Sequence, residues 1–340
     1  MKILFYDTKK YDKKFFLKEN ENHDFKITFL ENKLNLETAE LAEGYSVVCC
    51  FVNDSIDKNV IDMLVKMGVQ LIALRCSGYN NINIKYAKDK IKIVRVPAYS
   101  PSAIAEYTIA LLLTLNRKIN KAYIRTREGN FSLEGLLGFN LEHKTIGIIG
   151  TGRIAKILIR ILKGFNMNII AYDKYPDNKV SQELGFEYVS LDTLYRISDI
   201  ISLNCPLTPE TKYMINRSSM NLMKDGVTII NTGRGALIDS VDLVEALKDH
   251  KVGAAALDVY EEESEYFFED FSNDIVEDDI LARLLSFNNV LITSHQAFFT
   301  EEAVKEIAKV TLNNIAFFNK DEIQNEVFYT CDDNNCYIKD

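Results

Sequence analysis

The sequence contains 340 residues, of which 47% are hydrophobic and 26% charged, with 5 Pro and 15 Gly, a composition that is typical of a packed globular protein and excludes a long disordered region. Its net charge is −9, and it has no basic run with interleaved aromatic residues. This charge pattern argues against a nucleic-acid partner.

The cysteines and the apolar runs indicate the cellular compartment in which the protein is expected. Six cysteines occur without the C-x-x-C spacing of zinc sites, which predicts reduced thiols and no metal: Cys49, Cys50, Cys76, Cys205, Cys331 and Cys336. The N-terminal apolar run meets two Lys too soon for a signal peptide. The longest apolar stretch, Tyr107 to Leu115, has 9 residues, fewer than half of the ~20 that span a bilayer. We therefore expect a cytoplasmic protein with no membrane contact.

Four short apolar runs occur in the first hundred residues, with helical stretches between them. They lie at residues 3–6, 47–52, 70–74 and 92–96. Because parallel strands are buried on both faces and need crossover helices, this alternation predicts a parallel sheet flanked by helices.

A long helix is predicted next, since Ser100 suits an N-cap and Pro101 the first helical position. Six further apolar runs are typical of a doubly wound, Rossmann-type nucleotide-binding sheet. They lie at residues 145–150, 167–173, 199–204, 226–231, 254–259 and 289–294.

A second helical pattern, from Thr300 to about Asn319, follows the last of these strands, and we expect it to return the chain to the first domain. Since one domain usually spans ~100 to 200 residues, the fold expected is an α/β protein of two domains that share a cleft. One domain comprises residues 1–100 and 299–340, and the other comprises residues 101–298. The polar tail from Asp332 to Asp340 is predicted to be mobile.

A dinucleotide-binding motif directly follows the first strand of the second series. In the run GTGRIA, Gly150 makes the tight turn, Gly152 lets the backbone approach a pyrophosphate, and Ala155 permits close packing of helix on strand. The pyrophosphate then lies at the N-terminus of the next helix, which favours anions. The alternative interpretation is a glycine-rich turn without a ligand.

A carboxylate at the end of the next strand supports the first interpretation. Asp173 lies 21 residues beyond Gly152, where it can accept hydrogen bonds from the ribose hydroxyls and repel a 2′-phosphate. NAD is therefore predicted in preference to NADP, although Lys174 and Lys179 weaken this exclusion. A surface Asp without a ligand is the alternative.

Two side chains at strand ends suit the reduction of a 2-keto acid, which needs a cation for the carboxylate and a proton donor for the oxygen. Arg234 lies between two glycines in the run NTGRG and offers a planar fork. His295 follows the last strand. A neighbouring carboxylate favours the protonated form of an imidazole, and Glu261, Glu262 and Glu263 are all candidates that spacing alone does not separate.

The segments NTGRG, DVYEEE and SHQAFFT, spaced after GTGRIA, resemble the D-2-hydroxyacid dehydrogenases over nearly the whole chain. The resemblance implies a catalytic set of Arg234, Glu263 and His295, and so selects the third Glu. It also implies that residues 1–100 and 299–340 bind the substrate, that residues 101–298 bind NAD, and that the protein is a homodimer or homotetramer assembled through its nucleotide domains.

The same resemblance implies further contacts. Those to the substrate come from the amides of Ser77 and Gly78 and from Tyr99. The contacts to the cofactor that it implies come from Arg153, Ile154, Cys205, Pro206, Thr232, Gly233 and Asp258.

Within the family, the pair Phe298-Phe299 and the Phe-rich acidic insert at residues 266–279 resemble the D-lactate branch. An aromatic wall, with Phe298 at the substrate, favours a methyl-sized side chain, which predicts reduction of pyruvate to D-lactate. The pair can instead pack the start of the last helix. A bulkier or different 2-keto acid and a catalytically idle NAD-sensing protein are the alternative functions.

Overall fold

A computed structural model describes residues 1–331 and 336–339. The chain divides into two compact units, Met1–Ser100 with Phe299–Asp340, and Pro101–Phe298. Among the described residues, no helix combines the length and the apolar character needed to cross a membrane.

The first unit contains a five-stranded parallel sheet with the strand order β2-β1-β3-β4-β5. Numbered along the chain, the strands are β1 (Lys2–Phe5), β2 (Lys26–Phe29), β3 (Val47–Cys50), β4 (Leu71–Leu74) and β5 (Lys92–Val94). The four predicted strands are confirmed, but β3 and β5 end earlier than predicted. The sequence did not reveal β2, an edge strand whose residues stay partly exposed and so form no continuous apolar run.

Four helices belong to the same unit. They are α1 (Lys10–Asn20), α2 (Lys58–Lys66), α3 (Ile84–Ala87) and α13 (Glu301–Phe318). The predicted last helix is confirmed: Thr300 caps it by accepting a hydrogen bond from the amide of Ala303 (3.2 Å), and the helix packs on α1 and β4. The predicted polar tail contains a strand, β14 (Cys336–Lys339), which pairs antiparallel with β13 (Phe328–Cys331). Residues 332–335 and 340 of that tail lie outside the described residues.

The second unit contains a seven-stranded parallel sheet with the order β12-β11-β10-β9-β6-β7-β8. Its strands are β6 (Thr145–Ile149), β7 (Asn168–Tyr172), β8 (Glu187–Tyr188), β9 (Ile200–Leu203), β10 (Val227–Asn231), β11 (Val252–Leu257) and β12 (Val290–Ile292). All six predicted strands are present. The seventh, β8, has two residues at the sheet edge and was not predicted.

Helices cover both faces of this sheet. They are α4 (Pro101–Arg117), α5 (Ile119–Arg127), α6 (Arg153–Lys163), α7 (Asn178–Leu184), α8 (Leu191–Ile197), α9 (Arg217–Leu222), α10 (Ser240–Lys248), α11 (Glu263–Tyr266) and α12 (Asp279–Ser286). Apolar residues of α4 and α6 form the core on one face, and those of α8, α9, α10 and α12 form it on the other. The strand order reverses between β6 and β9, and ligands of such sheets bind beyond the carboxyl ends of the strands at this point.

Candidate active site

The glycine-rich turn lies at the point where the strand order reverses. Gly150 has φ +89°, a conformation that favours glycine, and a Cβ there would meet the carbonyl oxygen of Asn204 at 2.7 Å. At Gly152 a Cβ would meet nothing within 4 Å, so the space beside it is open. Gly152 also precedes α6 without capping it through a side chain, which leaves amides of the first turn for an anion. Ala155 is fully buried, as its predicted packing role requires.

Asp173 directly follows β7 and is tied to this turn. One carboxylate oxygen accepts hydrogen bonds from the amide (2.7 Å) and hydroxyl (2.9 Å) of Thr151, and the other accepts one from the amide of Tyr175 (2.8 Å). Burial works to raise the pKa of Asp173, but these hydrogen bonds outweigh it and hold the pKa below its usual range. The carboxylate is therefore ionised beside the glycine turn, where it suits two ribose hydroxyls.

Arg234 is held at the carboxyl end of β10 by a buried amide. Asn231 donates a hydrogen bond to the carbonyl of Arg234 (2.8 Å) and accepts one from the amide of Gly233 (3.0 Å). Arg234 itself donates from Nη1 to the carbonyl of Gly233 (2.7 Å). A Cβ on Gly235 would collide with the backbone of Tyr260. The Arg234 loop therefore packs directly against the segment that follows β11.

Glu263 and His295 form a hydrogen-bonded pair in the segments that follow β11 and β12. The distance from Glu263 Oε1 to His295 Nδ1 is 2.7 Å, and each side chain is only 18% exposed. The other oxygen of Glu263 accepts a hydrogen bond from the amide of Tyr260 (3.0 Å), which fixes the carboxylate. Since an ionised carboxylate only accepts, Nδ1 of His295 carries a proton and Nε2 is the atom that can exchange one with a substrate.

Asp258 fixes the backbone that carries the histidine. Its fully buried carboxylate accepts hydrogen bonds from the hydroxyl of Thr293 (2.6 Å) and from the amides of Gln296 (3.0 Å) and Ala297 (2.8 Å). Its carbonyl accepts a hydrogen bond from the amide of His295 (2.7 Å), which has φ +50°. Left-handed backbone is costly for a residue other than glycine, so these bonds hold His295 in a defined position. Desolvation by burial raises the pKa of Asp258.

Three neighbouring parallel strands thus present a guanidinium, a carboxylate and an imidazole beyond their carboxyl ends.

The family model for the NAD binding domain of the D-isomer specific 2-hydroxyacid dehydrogenases matches residues 109–297. The D-lactate dehydrogenase of Escherichia coli (strain K12) is 50% identical over 323 residues, which cover 95% of this chain and 98% of that protein.

Solved structures give the same relationship. The apo-structure of D-lactate dehydrogenase from Escherichia coli has a TM-score of 0.87 at 48% identity, covering 96% of this chain and 99% of that one. The D-isomer specific 2-hydroxyacid dehydrogenase from Lactobacillus delbrueckii ssp. bulgaricus, in its NAD-complexed form, has a TM-score of 0.77 at 30% identity, covering 96% and 100%. The chain belongs to the D-isomer-specific 2-hydroxyacid dehydrogenases.

The cofactor of this dehydrogenase is NAD, as predicted. The open space at Gly152, the uncapped start of α6 and the ionised Asp173 fit the pyrophosphate and ribose of that cofactor. The residues predicted to contact it in this unit lie at or near the carboxyl ends of the strands: Arg153, Ile154, Cys205, Pro206, Thr232, Gly233 and Asp258. Their contacts with the cofactor stay predictions.

The predicted substrate loop of the dehydrogenase lies in the first unit, after β4. The carbonyl of Ser77 accepts a hydrogen bond from Arg95 Nη1 (2.9 Å), and the thiol of Cys76 donates one to the carbonyl of Gly78 (3.3 Å). The side-chain amide of Asn81 donates to the carbonyls of Phe51 (2.9 Å) and Asp54 (2.8 Å). These bonds fix the loop conformation, while the role of Ser77 and Gly78 in binding substrate stays a prediction.

The two remaining predicted substrate contacts differ in exposure. Tyr99 follows β5 and is half-buried, and Phe298 is 7% exposed. Phe299 is 51% exposed, and its ring makes an edge-to-face contact with Tyr11 of α1 (centroid distance 4.7 Å). Phe299 therefore packs against α1 in the first unit, whereas the roles of the aromatic pair at the substrate or at the start of the last helix stay predictions.

Sequence reasoning missed the supporting residues of the dehydrogenase site. Asn231 was not singled out. Asp258 was predicted as a cofactor contact, and the sequence did not reveal that its carboxylate accepts three hydrogen bonds from the segment that carries His295. A signal was available, because each is a polar residue at the end of an otherwise apolar strand. Buried polar side chains require partners, so such a residue is expected to organise the adjacent loop.

Proposed function

We propose that this dehydrogenase reduces pyruvate to D-lactate with NADH, using His295 as the general acid, Glu263 as its partner and Arg234 as the cation that binds the substrate. The observation that carries the proposal is the 2.7 Å hydrogen bond between Glu263 and His295, beyond the same carboxyl ends of the strands at which Arg234 lies. A positioned proton donor beside a substrate-binding cation is what the reduction of a keto acid requires.

The protein residues divide the work of the reaction. Arg234 binds the carboxylate of the keto acid and polarises its ketone oxygen, because the guanidinium offers a planar set of donors. His295 donates the proton on Nε2 to that oxygen. Glu263 keeps Nδ1 protonated and stabilises the imidazolium before transfer. When bound, NADH supplies the hydride that the carbonyl carbon receives, so carbon gains a hydride and oxygen gains a proton.

Substrate size follows from the aromatic residue after the histidine loop. Phe298 offers no hydrogen-bond donor and no charge, so it suits a methyl group and provides no anchor for a phosphate. Relatives that share about half of their residues with this chain are named D-lactate dehydrogenases. Both considerations favour pyruvate over larger or phosphorylated keto acids.

A steady-state screen tests this proposal. We expect the highest kcat/KM with pyruvate and NADH, and a lower value by about tenfold or more with phenylpyruvate, 2-ketoisocaproate, glyoxylate or hydroxypyruvate, because one misfitted group changes discrimination by roughly 10 to 200-fold. Chiral analysis of the product should give D-lactate, and NADPH should serve poorly in place of NADH. A preference for 2-ketoisocaproate would reassign the substrate, and no turnover with any keto acid would support an NAD-sensing protein.

We also infer that the protein is a homo-oligomer that associates through the second unit. Seven large apolar side chains between residues 119 and 139 are exposed: Ile119, Tyr123, Ile124, Phe131, Leu133, Leu137 and Phe139. Apolar patches of this extent in soluble proteins commonly mark contacts with another chain, and a second copy is the simplest occupant.

Mass measurement tests the oligomer. We expect light scattering after size exclusion to give two or four times the chain mass of 38.9 kDa. The double variant Leu133→Glu/Leu137→Glu should shift the mass towards the monomer, because it places charges in an apolar contact. Exposed Leu17 and Leu41 on the first unit offer a matched control, Leu17→Glu/Leu41→Glu. A monomeric wild-type protein would contradict the inference.

We also propose that the protein is located in the cytoplasm.

A further inference from the structure

An open cavity on the second unit is lined mostly by basic and amide side chains. Its volume of about 580 Å³ lies within the ~300 to 1,000 Å³ typical of small-ligand sites. Its basic residues, which we call the cationic pocket, are Lys118, Lys121, Arg125, Lys248, His250 and Arg283. None of the described residues that line the cavity is acidic.

The cationic pocket is separate from the catalytic residues. His250 lies just before β11, and Asn288 and Asn289, which also line the cavity, lie just before β12. Glu263 and His295 follow the opposite, carboxyl ends of the same strands. The six residues of β11 separate the two ends by roughly 20 Å at ~3.3 Å per residue. A ligand in this pocket would therefore not occupy the keto acid site.

Three of the cations have only neutral partners. Lys118 donates to the carbonyl of Leu137 (2.6 Å), Lys121 to the side chain of Asn288 (2.9 Å), and Arg125 to the carbonyl of Glu134 (2.7 Å). In the part of the chain that the structure describes, no carboxylate lies within ion-pair distance of these three. Their positive charges are thus not neutralised within the described chain.

The other two permanent cations of the pocket differ from each other. Arg283 lies over the ring of Phe287, 4.8 Å from its centroid. Lys248 forms an ion pair with Glu245 (2.6 Å). Both lie in the last turn of their helices, where the helix dipole favours a positive charge. Positions near helix C-termini therefore explain Lys248 and Arg283. They do not explain Lys118, Lys121 and Arg125.

Lys121 is in an unfavourable position for a cation. It lies in the first turn of α5, where the helix dipole disfavours positive charge. Burial, and then the charges of Lys118 and Arg125, lower its pKa. The chain as a whole carries a net charge of −9, so these clustered cations oppose its overall charge. An anion held among them would relieve the repulsion and form charge-assisted hydrogen bonds.

We propose that the cationic pocket binds a small polyanion, a molecule that carries two or more phosphate or carboxylate groups. Several anionic groups are needed because the cations come from separate segments, which are α5 with the residue before it and the last turns of α10 and α12. The side-chain amides of Asn288 and Asn289 and the ring of His250 add further hydrogen-bond donors for the same oxygens.

The cationic pocket borders the surface proposed for association. Gly135, which lies between exposed Leu133 and Leu137, lines the cavity. The only large apolar side chains among the described lining residues are Leu247 and Phe287. A small anionic molecule therefore suits the cavity itself better than an apolar contact with a second copy.

Calorimetric titration of the full chain with inorganic pyrophosphate tests the proposal. NADH is present at saturation, so that the turn at Gly152 is already occupied. We expect wild-type protein to bind pyrophosphate with a Kd below ~1 mM at low salt. The double variant Lys121→Gln/Arg125→Gln should bind about a hundredfold more weakly, since each of the two lost contacts to a charged group contributes about tenfold or more. Arg283→Gln should also weaken the binding of pyrophosphate. The affinity for NADH should be unchanged in both variants.

A matched variant separates the pocket from a general charge effect. Arg160→Gln/Lys309→Gln removes the same charge at exposed helical positions, and it should bind pyrophosphate as wild type does. Absence of binding to the wild-type protein, or equal weakening in both double variants, would overturn the proposal. So would a loss of oligomer mass in Lys121→Gln/Arg125→Gln without any pyrophosphate binding to wild type, because the pocket would then hold a second copy.

Discussion

Replacing His295 with alanine is expected to lower kcat for pyruvate reduction by about two orders of magnitude or more, because a positioned general acid contributes roughly 10² to 10⁴-fold. NADH binding should persist, since the glycine turn and Asp173 lie at other strands of the sheet. Stopped-flow single turnovers and fluorescence titration of NADH measure the two quantities separately. A large loss of turnover with intact NADH binding assigns the proton transfer to His295.

Two further variants sharpen this expectation. Glu263→Gln keeps the shape of the side chain but removes the carboxylate that pairs with His295 at 2.7 Å, so we expect a lower kcat. His143→Ala alters a side chain that is 82% exposed, and it should behave as wild type. Turnover of His295→Ala close to that of wild type would remove His295 from the mechanism.

The fold could be read from the sequence wherever strands are buried on both faces. Such strands appear as short apolar runs, and every predicted run has a strand in the structure. The edge strands β2 and β8 were not predicted, because part of each strand is exposed to water and the residues there can be polar. The strand β14 was not predicted for the same reason, since its residues 337–339 are exposed and lie in a polar segment. Burial, rather than strand formation itself, is what the apolar pattern reports.

The candidate site could be predicted only as far as strand ends determine it. Arg234 and His295 directly follow strands, so the topology of a parallel sheet is enough to bring them to one edge. The choice among the three glutamates depends on the turn after β11, which spacing does not specify. In the structure Glu263 reaches His295, while Glu261 accepts a hydrogen bond from the amide of Ser240 (3.3 Å). Only the resemblance to a family selected Glu263 beforehand.

Replacing Arg234 with lysine is expected to raise KM for pyruvate by about tenfold or more and to lower kcat as well. An ammonium group cannot bind a carboxylate through two parallel hydrogen bonds, and each charge-assisted bond contributes roughly 1.5 to 3 kcal/mol. The lysine would also lose the bond from Nη1 to the carbonyl of Gly233 (2.7 Å), which orients the guanidinium. Steady-state kinetics with varied pyruvate at saturating NADH measure both constants.

The division of the effect between KM and kcat identifies what Arg234 does. A guanidinium that only held the substrate carboxylate would change KM alone, whereas one that also polarises the ketone stabilises the transition state and must change kcat too. Arg160→Lys, at an exposed position of α6, provides the control for a simple exchange of Arg for Lys. Unchanged kinetic constants in Arg234→Lys would show that the guanidinium does not contact the substrate. The carboxylate of pyruvate would then need another cation, and the assignment of this sheet edge as the site of hydride transfer would fail with it.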